Sequence, residues 1–230
     1  MDVVTLLHAL VAADRRAAVW CAAQCARTAL HLVPAGEDRP RQALETAETW
    51  ARGYTSVEDC RWAEHKAARA RVGLSADDPA IDAVAAAVDA VALCDPSAHR
   101  SQYRDENTLV ILVGITAAAA SAVAHASAPL DPQPAARRHL ERLRDLVQAE
   151  RWPLTVPSPE QLRAAPAAVQ VAWDAVGDRA VAELTVPALL EAHARAARLG
   201  LRWDDPIQRA VAERAIDEAA VAAILRAPAR

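Results

Sequence analysis

Three side chains spread along this 230-residue chain could move protons: Asp14, His65 and His125. An imidazole titrates near neutrality and is easily tuned, so His65, beside Glu64 or facing Asp14, has the chemistry of a general base. His65 also follows Trp62 by three residues, which puts both rings on one helical face, and a hydrogen-bonded structural histidine fits that setting equally well. Asp14 falls on an otherwise apolar stripe. A carboxylate there needs a partner or a raised pKa, unless a helix crossing lets it reach water or a backbone N–H. Gly114, Ala118, Ser121 and His125 share another face. Small residues in that order admit a closely packed neighbouring helix, or leave room for a ligand beside Ser121 with His125 at the rim.

Cys21 and Cys25, four residues apart, could share a metal with a histidine, but no compact set of partners accompanies them. The four cysteines match no zinc-finger spacing, and cytosolic thiols normally stay reduced. The chain has no P-loop, no dinucleotide-binding glycine motif and no nucleophile elbow, so neither metal nor cofactor is expected. Six tryptophans stand in a chain without phenylalanine. They suit the role of bulky wedges among alanines, and Trp20, Trp62, Trp152 and Trp203 are the candidates for a binding surface, where tryptophan is enriched.

The elements that must position these residues are helices. Hydrophobic residues make up 53 % of the chain, with alanine prominent among them, and there are only six glycines. Alanine, leucine, arginine and glutamate favour helix nearly everywhere, and the expected class is all-α. The clearest organising feature is a repeat: Glu64–Val84 aligns without a gap on Glu191–Val211, with 11 of 21 positions identical. Gly73 and Gly200 stand where a helix needs a left-handed closing residue, followed by Leu74 and Leu201 as the sealing apolar contact. Asp77-Asp78-Pro79 and Asp204-Asp205-Pro206 then open the next helix with an aspartate cap and a proline in its first turn. We expect two pseudo-repeated helical units, residues 1–130 and 131–230, arranged as a bundle or superhelix around a central apolar helix near residues 105–126.

The periodicity predicts a first helix running continuously from Asp2 to Val33, then helices over about 41–52, 56–72, 79–93 and 105–126. Four more are expected near 135–150, 167–183, 187–199 and 206–226. Trp152–Pro166 reads as the least regular loop, and Ser127–Pro134 as a proline-rich linker. The formal net charge of −4 and pI near 6.0 speak against nonspecific nucleic-acid binding, and Arg137, Arg138, Arg142 and Arg144 read as a solvated helix face. The N-terminus carries Asp2 where a signal peptide has a positive region, and 109–124 is short and alanine-rich for a membrane span. The expected location is the cytoplasm.

WCAAQCARTALHLV from Trp20, EDRPRQALETAETWARG from Glu37, and the AEHKAARA helix resemble the immunity proteins of bacterial polymorphic toxin systems. Those are small helical proteins with a Trp/Cys-bearing first helix, a D-R-P-R helix start, an A-W-A-R-G helix end and an Ala-His-Ala helix. The match is good over residues 20–71 and thins over GITAAAASAVAHA, so it covers about half the chain. Ile115 and Ala119 stand where such helices often show histidine, and the C-terminal half is additional. The resemblance implies an intracellular protein that binds and neutralises a cognate toxin by steric occlusion. The alternative is a pocket for a small apolar molecule between the halves, with Asp14, His65 and His125 as acid/base groups of a biosynthetic enzyme. The oligomeric state is not legible.

Overall fold

Two aspartates begin the fold. Asp2 caps the first helix, α1 (Val3–Ala13), by accepting from the Thr5 backbone N–H at 2.9 Å and the Thr5 hydroxyl at 2.8 Å. Asp14 ends α1 and starts α2 (Arg15–Arg27): its backbone is extended, and its carboxylate accepts from the N–H groups of Arg16 and Ala17 at 3.0 and 3.2 Å. The expected single helix from Asp2 to Val33 is therefore two helices and a short 3₁₀ turn at Leu30–Leu32. The apolar stripe continues through the break, and one short polar side chain that competes for backbone N–H groups suffices to turn the chain.

The computed structural model describes residues 1–95, 104–127, 132–175 and 182–213. The chain divides into two compact units, Met1–Val147 and Gln148–Arg230. The first is an all-helical bundle. After α2 come α3 (Arg39–Ala51), α4 (Val57–Ala68), α5 (Pro79–Ala92), α6 (Arg104–Ser127) and α7 (Pro132–Ala149). Leu7 and Leu10 of α1, Leu44 of α3, Val84 and Val91 of α5, and Leu112 and Ile115 of α6 fill its core, with small alanines letting the helices approach closely. Helix α5 packs extensively on α6. At Gly114 a Cβ would lie 2.6 Å from Asp89 Oδ2, so the glycine end of the Gly114–His125 face is occupied by a side chain of α5.

By length and composition, Thr108–Ala126 could cross a bilayer. Here its inner face is buried in the bundle, while Leu109, Val110 and Val113 are exposed.

The second unit combines α8 (Pro159–Ala164), α9 (Ala167–Asp174), α10 (Val186–Leu199) and α11 (Pro206–Ala212) with a small antiparallel ladder. In that ladder β1 (Arg151–Pro153) pairs with β2 (Glu183–Thr185), Trp152 opposite Leu184. The expected irregular loop Trp152–Pro166 thus holds a strand and a capped helical turn; three-residue strands leave no periodicity to read. Val169, Ala196, Leu201, Ala210 and Val211 form this unit's core, with Trp173 and Trp203 packed against it. The expected helix near 167–183 ends at Asp174, and Glu183 belongs to β2; of the expected helix near 206–226, α11 covers Pro206–Ala212. Residues 176–181 and 214–230 lie outside the described residues, as do 128–131 of the expected linker.

The repeated segment shows one local correction. Gly200 closes α10 with φ of 67°, and its neighbour Leu201 donates to Ala196 O at 2.9 Å, the Schellman arrangement expected. Gly73 does something else. Helix α4 ends at Ala68 and tightens into a 3₁₀ turn at Arg69–Arg71; Val72 (φ −68°, ψ 121°) and Gly73 (φ 92°) then make a type II turn closed by Leu74 N–H to Arg71 O at 3.2 Å.

Candidate functional site

Helix α4 has one face in the bundle and one that is strongly exposed. A reciprocal capping box starts it: Ser56 Oγ accepts from Asp59 N–H, and the Asp59 carboxylate accepts from Ser56 N–H, both at 3.1 Å. The Ser56 and Thr55 hydroxyls also bond that carboxylate and hold it below the usual range. The inner face buries Cys60 and Ala67. The outer face carries Trp62, 59 % exposed, with His65 stacked on it at 6.0 Å and 22° between planes, and Lys66 Nζ 5.2 Å from the indole centroid. Tyr54, 80 % exposed, lies just upstream. An indole in contact with both an imidazole and an ammonium loses little further freedom on being covered, which favours an anchor for a partner.

The flank of α4 toward α5 is charged. Arg61 donates from Nε to buried Asp95 at 2.6 Å and from a terminal nitrogen to Glu58 at 3.2 Å. Burial raises the pKa of Glu64, as do Asp89 and Asp95 beside it, against the opposing charge of His65. Burial also raises Asp89, which Arg71 partly offsets. These two carboxyls hold their protons to higher pH than ordinary acids do.

The three proposed proton-transfer residues sit on different elements. Asp14 caps α2, His65 is exposed on α4, and His125 is exposed in the last turn of α6. Ser121 is half-buried on α6. Trp20 of α2 is half-buried beneath the Arg52 guanidinium, 4.4 Å from its ring, and Trp152 is half-buried on β1. In the second unit Trp203 meets His193 edge-on at 5.0 Å and Arg209 face-on at 4.5 Å. Arg209 in turn donates to buried Glu213 at 2.8 Å, and Glu213 also accepts from the Thr155 N–H at 2.8 Å. Among the described residues, no group of three or more His, Cys, Asp or Glu side chains is placed to hold a metal ion. Arg137 and Arg138, with Gln133, Pro134 and Glu141, line an open depression along α7.

Sequence reasoning passed over His139. It is buried on α7, with Nε2 3.0 Å from the Thr28 hydroxyl. That hydroxyl donates to Cys25 O at 2.7 Å, so the histidine is the donor in the pair and its Nδ1 is a buried acceptor without a partner. Burial lowers its pKa, with Arg142 and His31 adding repulsion. Its position in a run of arginines gave no signal of burial.

These features define a helical protein whose α4 carries an exposed aromatic face. No family model, curated protein or solved structure matches the chain.

Proposed function

We propose that the chain is a cytoplasmic, immunity-like binding module that docks a cognate protein toxin on the outer face of α4 and blocks it sterically. The observation that carries this reading is the exposed Trp62, braced by His65 and Lys66 on a helix anchored by its capping box and by the Arg61–Asp95 pair. A bare indole is costly in water and is the most effective single anchor at protein interfaces. The resemblance of residues 20–71 to polymorphic-toxin immunity proteins supports the same reading. The mixed charges around Trp62 (Lys66 and His65 against Glu58 and Asp59) suit a rim that selects a partner by complementarity. In this proposal the two repeated segments descend from a duplicated helical unit. The positive-φ glycine and the Asp-Pro helix start common to both support the duplication, and buried Leu189 in the second copy takes the place of exposed Trp62 in the first.

The test is native mass spectrometry of the tagged full-length protein isolated from its own host, beside the Trp62→Ala variant. The expected result is a stoichiometric protein adduct whose affinity falls about 30-fold or more with Trp62→Ala, the loss typical of an interface anchor, while circular dichroism is unchanged. An adduct unaffected by Trp62→Ala, or one of a few hundred daltons only, would overturn the proposal.

A further inference from the structure

The four cysteines are all buried, yet two of them meet across helices. Cys60 lies in the first turn of α4 and Cys94 just beyond the end of α5, and the 2.6 Å pairing of their chain neighbours Arg61 and Asp95 sets the two thiols beside each other. The contact belongs to a three-point anchorage. Arg15 donates to Leu93 O at 2.9 Å, Cys60 meets Cys94, and Arg61 Nε holds Asp95 at 2.6 Å. Consecutive residues of α4 therefore grip consecutive residues of the chain leaving α5.

We propose that Cys60 and Cys94 form a modification site, a dithiol that hydrogen peroxide or another small hydroperoxide oxidises to an intramolecular disulfide. The Cys60 thiolate attacks the peroxide oxygen and the O–O bond breaks, giving a sulfenic acid on Cys60 and hydroxide, which takes up the proton Cys60 lost. The Cys94 sulfur then attacks the Cys60 sulfur. The S–O bond breaks, the Cys94 proton leaves with the hydroxyl group as water, and the two sulfurs have together given two electrons to the peroxide. The roles follow from the surroundings. The neighbouring Cys94 thiol draws the Cys60 thiol down in pKa, against burial and the nearby Asp59 and Asp95 charges. Cys94, beside Cys60 and in a drier site, is pushed up despite Arg15 beside it, so it waits as the resolving thiol.

Burial selects the oxidant. With Cys60 1 % and Cys94 0 % exposed, the site suits an oxidant as small as hydrogen peroxide and excludes a bulky disulfide. The other pair, Cys21 and Cys25, is excluded by geometry. Residues four apart on one α-helix have Cβ atoms about 5–6 Å apart, beyond the roughly 3.5–4.5 Å that a disulfide spans.

The experiment exposes the full-length protein to hydrogen peroxide, then counts thiols after denaturation and maps linkages in an unreduced digest. The expected outcome is a fall from four free thiols to two, a single Cys60–Cys94 link, and full recovery with dithiothreitol. In Cys94→Ala, the sulfenic acid on Cys60 persists and is trapped by dimedone. Four surviving thiols, a link involving Cys21 or Cys25, or conversion of wild-type Cys60 to sulfinic acid without a link would each overturn the proposal. If Cys94→Ala fails to fold, the wild-type linkage map decides the matter alone.

Discussion

Glu64–Val84 and Glu191–Val211 share 11 of 21 residues, yet turn different faces of their first helix to the core. Ala67 and Ala70 are buried in the first segment, whereas their counterparts Ala194 and Ala197 are exposed. The second segment instead buries Ala192 and Ala196, whose counterparts in the first are His65 and Arg69, both exposed. In the same register, buried Leu189 of α10 corresponds to exposed Trp62 of α4. The helix starts behave oppositely. Asp78 and Asp205 both cap, Pro79 and Pro206 both occupy the first turn, and Ala83/Ala210 and Val84/Val211 are buried in both. Boundary chemistry is local and survives transfer between contexts, while the buried face is set by whatever the helix packs against.

The sharpest way to break this comparison is to place a charge on each alanine pair. Ala67→Arg drives a guanidinium into the first unit's core and is expected to cost more than about 3 kcal/mol, whereas Ala194→Arg on an exposed face stays within about 0.5 kcal/mol. Urea unfolding of the two variants measures both. Equal costs would show that the two helices bury the same face after all. The tryptophans extend the test. Trp203, wedged between His193, Arg209 and the second core, should cost about 2–3 kcal/mol on truncation to alanine. Trp62→Ala, which uncovers no core, should cost no more than about 0.5 kcal/mol. A large loss at Trp62 would assign it to packing and remove its claim to be a docking anchor.

The difference between the two segments explains what could be read in advance. Helix starts at Asp78 and Asp205 were legible because a short polar cap satisfies the nearest backbone N–H groups and a proline follows it in the first turn. The facing of α4 and α10 was not, because alanine occupies both faces and blurs the apolar periodicity. Asp14 failed for the opposite reason: the stripe around it is so regular that the cap was read as one of its members. Trp62 with His65 was legible as an i,i+3 pair, and the stack is present. The Cys60–Cys94 contact was invisible, since it joins residues more than thirty positions apart through a helix packing that no local pattern specifies.

The caps offer a finer distinction. Asp78 accepts from one backbone group, Ala80 N–H at 2.9 Å. Asp205 accepts from Ile207 and Gln208 N–H at 3.0 and 3.2 Å, from the Gln208 side chain at 3.0 Å and from Arg202 at 2.8 Å. Asp205→Ala should therefore cost about 1–2 kcal/mol and Asp78→Ala about 0.5–1 kcal/mol. The order of the two thermal midpoints checks this, and a reversed order would mean that the additional side-chain bonds of Asp205 add nothing.

The smallest effect concerns position 66/193, where the first segment has exposed Lys66 over its indole and the second has half-buried His193 against Trp203. Burial lowers the His193 pKa, and the Arg209 charge lowers it further. The unfolded chain, with an ordinary imidazole near about 6.5, binds a proton that the folded chain refuses in the window just below that value. Stability therefore falls as pH drops through this window, because the unfolded state holds more protons there. His193→Gln should flatten that slope, leaving a stability difference from wild type that shifts below pH 6.5 and is constant above it. The direct readout is the His193 ring resonance. A midpoint below about 6.5 is expected; one at or above it would mean that the imidazole stays charged beside Arg209, and that the second segment's aromatic corner is as open to water as the first segment's.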